Sequence, residues 1–281
     1  MNLKKFSAVI LSCVMAGTLF TGCGSNTAQQ ADLRIGMIKN LNASENLYDD
    51  ITKKAEELGG IKITNHKYSF YDSLTLLQMG IESGSIDEAS TYQNVANYLM
   101  AKNPNKFELS PKHDYVKLSD KFAFAMRETD TELKNSINAA IEAMQNDGTL
   151  DNLIKTYITD LKMDEDPPAV EFENFDGAKT IKVAVTGDLP PLDLITAEGK
   201  PAGFNTAMLA EIGKRLNANI ETVQIESGAR SSALVSGNAD IIFWAIVPAD
   251  GDRPANIDTP NGTIVSTPYF QDQIVHLIYK K

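Results

Sequence analysis

Thiols, histidine and tryptophan are scarce in this chain, and each scarcity removes a class of chemistry. Of two cysteines among 281 residues, Cys13 lies within an N-terminal apolar run and Cys23 directly follows it. The remainder therefore has no thiol for a disulfide, a cysteine nucleophile or a sulfur-ligated metal. The three histidines, His66, His113 and His276, are far apart in sequence, and none has a metal-ligand neighbour at useful spacing. Neither a Gly-x-Ser-x-Gly elbow nor a phosphate loop occurs, so no cofactor, no metal and no enzyme activity is expected. Basic charge is also short: 26 Lys and Arg stand against 37 Asp and Glu, for a formal net charge of -11. That balance argues against nucleic acid as a partner and for a solvated, monomeric surface. After the N-terminal run, no apolar stretch is long enough to cross a bilayer.

What is present opens with a processing signal. Lys4 and Lys5 precede the apolar run Phe6 to Phe20, and Leu19-Phe20-Thr21-Gly22-Cys23 resembles a lipobox, with Phe20 where leucine is usual. Residues 1–22 read as a lipoprotein signal peptide, Cys23 as the acylated (palmitate-bearing) residue, and residues 23–32 as a polar tether. The alternative is an ordinary secretory signal or uncleaved anchor with a chance cysteine. Acyl chains add about 0.8 kcal/mol per buried methylene, so two or three hold a domain on a membrane. The expected location is extracytoplasmic, lipid-anchored to the outer face of the plasma membrane or in the periplasm. Removing residues 1–22 takes away Lys4 and Lys5 and no acid, so the net charge moves from -11 to about -13.

From Leu33 onward, strand-like and helix-like segments alternate, the pattern of α/β lobes with mainly parallel sheets. Leu33 to Ile38 reads as a strand and Ser44 as the cap of a helix to about Leu58. Ile61 to Ser69 is a strand. Asp72 caps a helix with Leu74, Leu77, Met79 and Ile81 on its apolar face. Further strands are expected at 86–91 and 122–127, with a long helix after Asp130. Residues 161–179 are acidic and Pro-bearing, with no apolar periodicity, and read as a linker. The plan then repeats: strand 181–186, helix 204–216, strand 220–225, helix 228–235 and strand 239–245, with a last strand at 274–279. Ser83-Gly84-x-x-Asp87 and Ser236-Gly237-x-x-Asp240 each follow an apolar helix and precede a strand. Two copies imply two lobes built alike, about 33–160 and 180–281.

The segment 181–244 resembles the opening of the amino-acid-type (family 3) extracellular solute-binding proteins of ABC importers. The resemblance is carried by Val183-Ala-Val185 leading to Asp188-Leu-Pro-Pro191, by Gly199-Lys-Pro-Ala-Gly203-Phe204, by the helix Met208 to Leu216, and by Ala233 to Asp240. Ser266-Thr-Pro-Tyr-Phe270 is similar to the motif before that family's crossing strand. Features of the family's second lobe and C-terminal helices come earlier in this chain: Ser83 to Asp87, Phe122 to Arg127, and Asp147-Gly-Thr-Leu150. The resemblance thus implies a two-lobed fold of the periplasmic-binding-protein type 2 class with its lobes in circularly permuted order, or two incomplete modules that complete each other between chains.

Such a cleft takes a small polar ligand, an amino acid or related carboxylate, and the resemblance implies a membrane permease as partner. A ligand-sensing lipoprotein and a dehydratase on the same fold are the other readings. Arg253 falls near the family's carboxylate-clamping arginine, one residue late, and a further insertion, Asp258-Thr-Pro-Asn-Gly262, follows; its plain alternative is pairing with Asp250 or Asp252. Tyr92 stands where relatives carry an ammonium-binding aspartate, and a phenol is uncharged near neutral pH. Asp188 offers an acceptor, and Trp244 an aromatic lid or a core residue. Asn40 and Ser44, with Lys39 and Asn42, flank a helix start that receives an anion or is simply capped by Ser44.

Overall fold

In each half of the chain a first strand is clasped near its start by a distant aspartate. The computed structural model describes residues 33–42, 44–59, 66–111, 118–249 and 253–280, so the expected signal peptide, tether and Cys23 lie outside the described residues. In the first half, Arg34 N donates to Asp87 Oδ2 (2.9 Å) and Asp87 N returns a bond to Arg34 O (2.8 Å). In the second, Lys182 N donates to Asp240 Oδ2 (3.0 Å) and Asp240 N returns to Lys182 O (2.8 Å). Gly84 and Gly237, at φ +73° and +74°, make the left-handed turns that deliver these aspartates, a conformation costly for residues with a Cβ. The Ser-Gly-x-x-Asp repeat is thus the same device built twice.

The first half contains β1 (Leu33–Ile38), α1 (Glu45–Gly59), β2 (His66–Tyr71), α2 (Leu74–Glu82), β3 (Glu88–Tyr92), α3 (Gln93–Lys102), β4 (Phe107–Leu109), β5 (Ser119–Arg127), α4 (Thr131–Asn146) and α5 (Thr149–Ile154), which runs into a π turn at Lys155–Thr159. The second contains β6 (Thr180–Val185), β7 (Asp188–Leu189), β8 (Asp193–Ile195), β9 (Pro201–Ala202), α6 (Phe204–Leu216), β10 (Asn219–Gln224), α7 (Arg230–Val235), β11 (Ile241–Pro248), β12 (Thr263–Val265) and β13 (Phe270–Tyr279). The parallel strands run β2-β1-β3 in one lobe and β10-β6-β11 in the other.

Each parallel trio is completed by an antiparallel strand from the opposite half. β5 follows the first lobe in sequence but pairs with β11, while β13 follows the second lobe but pairs with β3 through Ile274 to Leu277. The two exchanged strands also pair with each other, Phe270 opposite Phe122. The sequence boundary expected between 160 and 180 is therefore not where packing divides: α4 and α5 lie against α6.

The expected linker is packed rather than loose. Val170 is buried against Ala207 and Ala210 of α6, Ala169 bridges Ala202, and Asp166 accepts a 2.6 Å bond from the Tyr98 hydroxyl. With this strap on one side and a sheet on the other, α6 is buried around most of its circumference, which periodicity alone does not reveal. In α2, Leu74, Leu77 and Ile81 are buried as expected, but Met79 is 60% exposed. The helix is capped by Ser73, whose side chain accepts from Leu76 N, and not by Asp72.

Asp193 organises the small β7-β8-β9 sheet. Its fully buried Oδ2 accepts from Thr186 N (3.1 Å), Thr186 Oγ1 (2.9 Å) and Gly187 N (2.8 Å). Burial pushes its carboxyl up to about 6, with the bonds from Gly187 and Thr186 opposing the rise. Because the folded state holds the proton more tightly than the unfolded state, this group's contribution is greatest below about pH 4 and is lost as pH rises through about 6. Asp193→Asn should remove that dependence. Between pH 4 and 7 the wild type should lose up to about 3 kcal/mol relative to the variant in urea unfolding. Parallel pH profiles would reject the assignment.

Candidate functional site

A cavity of about 220 Å³ opens where the exchanged strands cross. Alternation along β1 sends Ile35 and Met37 to one face of the first-lobe sheet, and α1 roofs that face with Tyr48 and Ile51. Tyr48 packs on Tyr68 and Phe70 with ring centres 5.2 and 5.6 Å apart, and its hydroxyl accepts from Asn40 Nδ2 at 3.0 Å. From the second lobe come Trp244 and Arg253. Trp244 sits in an irregularity of β11, whose register against β5 shifts between Ile242 and Ala245, and such bulges re-aim side chains.

One end of the cavity is ionic. Arg253 Nη2 lies 2.8 Å from Asp120 Oδ1 and donates to Ser119 O at 2.7 Å, while the Tyr92 hydroxyl donates to Asp120 Oδ2 at 3.1 Å. Desolvation raises the Asp120 carboxyl above its ordinary range and the Arg253 charge pulls it back. Burial holds the Tyr92 phenol well above its usual value, so it stays a neutral donor. The other end carries His276, Nδ1 2.9 Å from Glu88 Oε2, with Ser110 Oγ donating to Glu88 Oε1 at 2.8 Å. His66 lines the same space. The two histidines line the same cavity but stand apart in it, since β3 and β1 separate β13 from β2. Among the described residues no three His, Cys, Asp or Glu side chains gather as a metal site.

Arg253, Tyr92, Trp244 and Asn40 all line this cavity, whereas Asp188 and Ser44 do not. Asp188 Oδ2 accepts from Leu74 N (2.7 Å) and Thr75 N (3.4 Å), so it serves the N-terminus of α2 across the lobe junction rather than a solute. Ser44 Oγ accepts from Leu47 N at 3.2 Å and caps α1. Arg253, expected to hold a ligand carboxylate, instead faces a carboxylate of its own chain, Asp120. Asp250 and Asp252, its sequence neighbours, lie outside the described residues. Sequence reasoning missed Asp120, Tyr48 and Glu88, which become site residues only through strand exchange and sheet order.

Residues 181–278 match the profile of the bacterial extracellular solute-binding proteins, family 3. This segment supplies Trp244, Arg253 and His276, and the mixed α/β build of the chain, with its two parallel trios ordered alike, is the class expected from the sequence. No curated protein matches the chain in sequence. Among solved structures, a nutrient binding protein from Burkholderia cenocepacia bound to methionine is 10% identical over 88% of this chain and 84% of its own, with a TM-score of 0.40. A pheromone cOB1 precursor and lipoprotein from Enterococcus faecalis is 12% identical over 89% of this chain and 86% of its own, with a TM-score of 0.42. The ancestral amino acid-binding protein AncCDT-1, a precursor of cyclohexadienyl dehydratase, is 12% identical over 90% and 84%, with a TM-score of 0.42.

The segment 181–278 is also latched to the first lobe by polar bonds. Ser227 N donates to Asp72 O and Gly228 N to Asp72 Oδ1, at 3.1 and 3.2 Å. Ser227 Oγ donates to Lys39 O at 2.8 Å, and Asn42 Nδ2 to Asn256 O at 2.6 Å. Of the residues read from sequence as possible anion contacts, Asn42 thus meets backbone of the opposite lobe, and the Lys39 carbonyl accepts from the Ser227 and Arg230 side chains.

Proposed function

We propose that this chain is an extracytoplasmic solute-binding protein, lipid-anchored through Cys23, that captures a small polar solute, an amino acid or related carboxylate, for an ABC permease. The observation that carries this reading is polar and lies in the cavity wall. Trp244 Nε1 and Thr91 Oγ1 are buried with no hydrogen-bond partner among the described residues, and both residues line the cavity. Buried polar atoms are almost always paired, so a wall carrying two unpaired ones is suited to a solute that offers an acceptor to the indole and a partner to the hydroxyl. Apolar Ile35, Met37 and Ile274 take the body of such a solute, and the Asp120–Arg253 pair marks the polar end. The order of strands around the sheets, with β5 and β13 crossing in opposite directions, supports a circularly permuted arrangement closed within one chain.

A thermal-shift screen of amino acids and organic acids tests this directly. A solute at 1,000 times its dissociation constant adds about 4 kcal/mol to the folded state. Trp244→Phe keeps the ring and removes one donor, so affinity for the selected solute should fall about fivefold. A screen without any stabilising solute, or unchanged affinity in the variant, would sink the proposal.

A further inference from the structure

Among the described residues, the most deeply buried ion pair lies beside the cavity and not in it. Asp258 is 0% exposed and Arg230 1%. Three donors from three segments converge on this carboxylate: Leu41 N (2.7 Å) and Arg230 Nη2 (3.1 Å) on Oδ1, and Ile246 N (3.1 Å) on Oδ2. Leu41 follows β1 in the first lobe, while Arg230 and Ile246 belong to α7 and β11 of the second. The site therefore exists only when the lobes are together.

The donors are fixed by groups other than Asp258. Arg230 donates from Nε to Ser227 O (3.0 Å), from Nη1 to Trp244 O (2.7 Å) and from Nη2 to Lys39 O (3.3 Å), and its guanidinium lies 4.6 Å from the Trp244 ring centre. The two amides sit at the end of one strand's connection and inside another strand. This is a pre-organised anion clamp of planar guanidinium and backbone N–H groups. Its occupant comes from a different kind of segment. Residues 254–262 form a surface loop with Pro254 to Asn256 exposed, and only Ile257 and Asp258 dip inward. Its second part, Asp258 to Gly262, is the insertion singled out in the sequence. The loop docks on the first lobe through Asn42 N to Ile257 O (3.1 Å) and Asn42 Nδ2 to Thr259 O (3.1 Å).

We propose that Arg230 and the amides of Leu41 and Ile246 form a carboxylate-binding site shared by both lobes, that Asp258 fills it in cis, and that an external carboxylate reaches it by displacing the 254–262 loop. The clamp stands on geometry alone; only the identification of the displacing molecule with the captured solute rests on the solute-binding reading. In this arrangement the lobes close on the protein's own carboxylate, and solute must compete with a tethered ligand.

Acetate is the probe, because it reproduces the Asp258 carboxylate without its chain. In Asp258→Gly, titrated acetate should raise Tm with the logarithm of its concentration, by about 4 °C at ten times its dissociation constant, while chloride at equal ionic strength should not. The wild type, its site filled, should show no acetate-specific rise, and adding Arg230→Met to the variant should abolish the rise. Recovery of an otherwise unfolded Asp258→Gly chain by acetate counts equally in support. If Asp258→Gly stays unfolded, Asp258→Ser is titrated in the same way, and identical behaviour in acetate and chloride for both variants overturns the proposal. Rescue by acetate in a chain that binds no solute in the screen would keep the site and reject solute capture, so the two failures are distinguishable.

Discussion

Replacing Arg230 by alanine should cost about 3–5 kcal/mol of folding stability, because it leaves the carboxylate of Asp258 buried without its counter-charge. Asp258 is fully enclosed, and desolvation already raises its carboxyl, with Arg230 the first of the groups that pull it back. Removing the guanidinium also strips donors from Ser227 O, Trp244 O and Lys39 O. Removing both charges, in Arg230→Met with Asp258→Leu, should recover much of the loss, since the desolvation cost of a buried pair offsets much of its attraction. The contrast is Arg34 with Asp87, shorter at 2.6 Å but 43% and 39% exposed. Solvent screening there should leave Arg34→Ala close to the wild type in stability. Urea unfolding of the three variants checks the set, and a loss below about 1 kcal/mol for Arg230→Ala would reject the buried-charge account.

Much of this architecture was legible in the sequence because it is local. The Ser-Gly-x-x-Asp motif needs only a left-handed glycine and an aspartate four residues after the serine, and both copies fold alike. Four cavity residues, Asn40, Tyr92, Trp244 and Arg253, were found because strand ends and the loops after them form the edge of a cleft in such lobes. What failed was non-local. Asp188 looked like a free acceptor, yet its partner is the amide of Leu74, 114 positions away. Arg253 looked like a clamp, yet it faces Asp120 on β5, a strand whose lobe cannot be read from its place in the chain. Arg230 sits in a short helix with no polar signature, and only the arrival of Asp258 from an inserted loop makes it a charge centre. β7 and β9, two residues each, are too short for any periodicity to register.

The strand exchange itself carries the last expectation. Neither parallel trio is complete without a strand from the other half, so neither lobe should unfold alone, and calorimetry should record one transition. Phe122 sits at the crossing. Its ring centre is 4.8 Å from Tyr92 of the first lobe, 5.8 Å from Phe270 of β13 and 6.3 Å from Trp244 of β11, and its side chain is 1% exposed. Its carbonyl also accepts from Tyr269 N at 2.9 Å, which fixes the start of β13. Phe122→Ala should therefore lower stability by about 3–5 kcal/mol through lost burial and the cavity left behind. The residual void lies next to Trp244 and Tyr92, so solute affinity should weaken together with stability, although Phe122 does not line the cavity. The single transition should persist at a lower midpoint, because the backbone pairing of β5 with β11 and β13 does not depend on this ring. Two resolved transitions in either protein would mean that the exchanged strands do not couple the lobes.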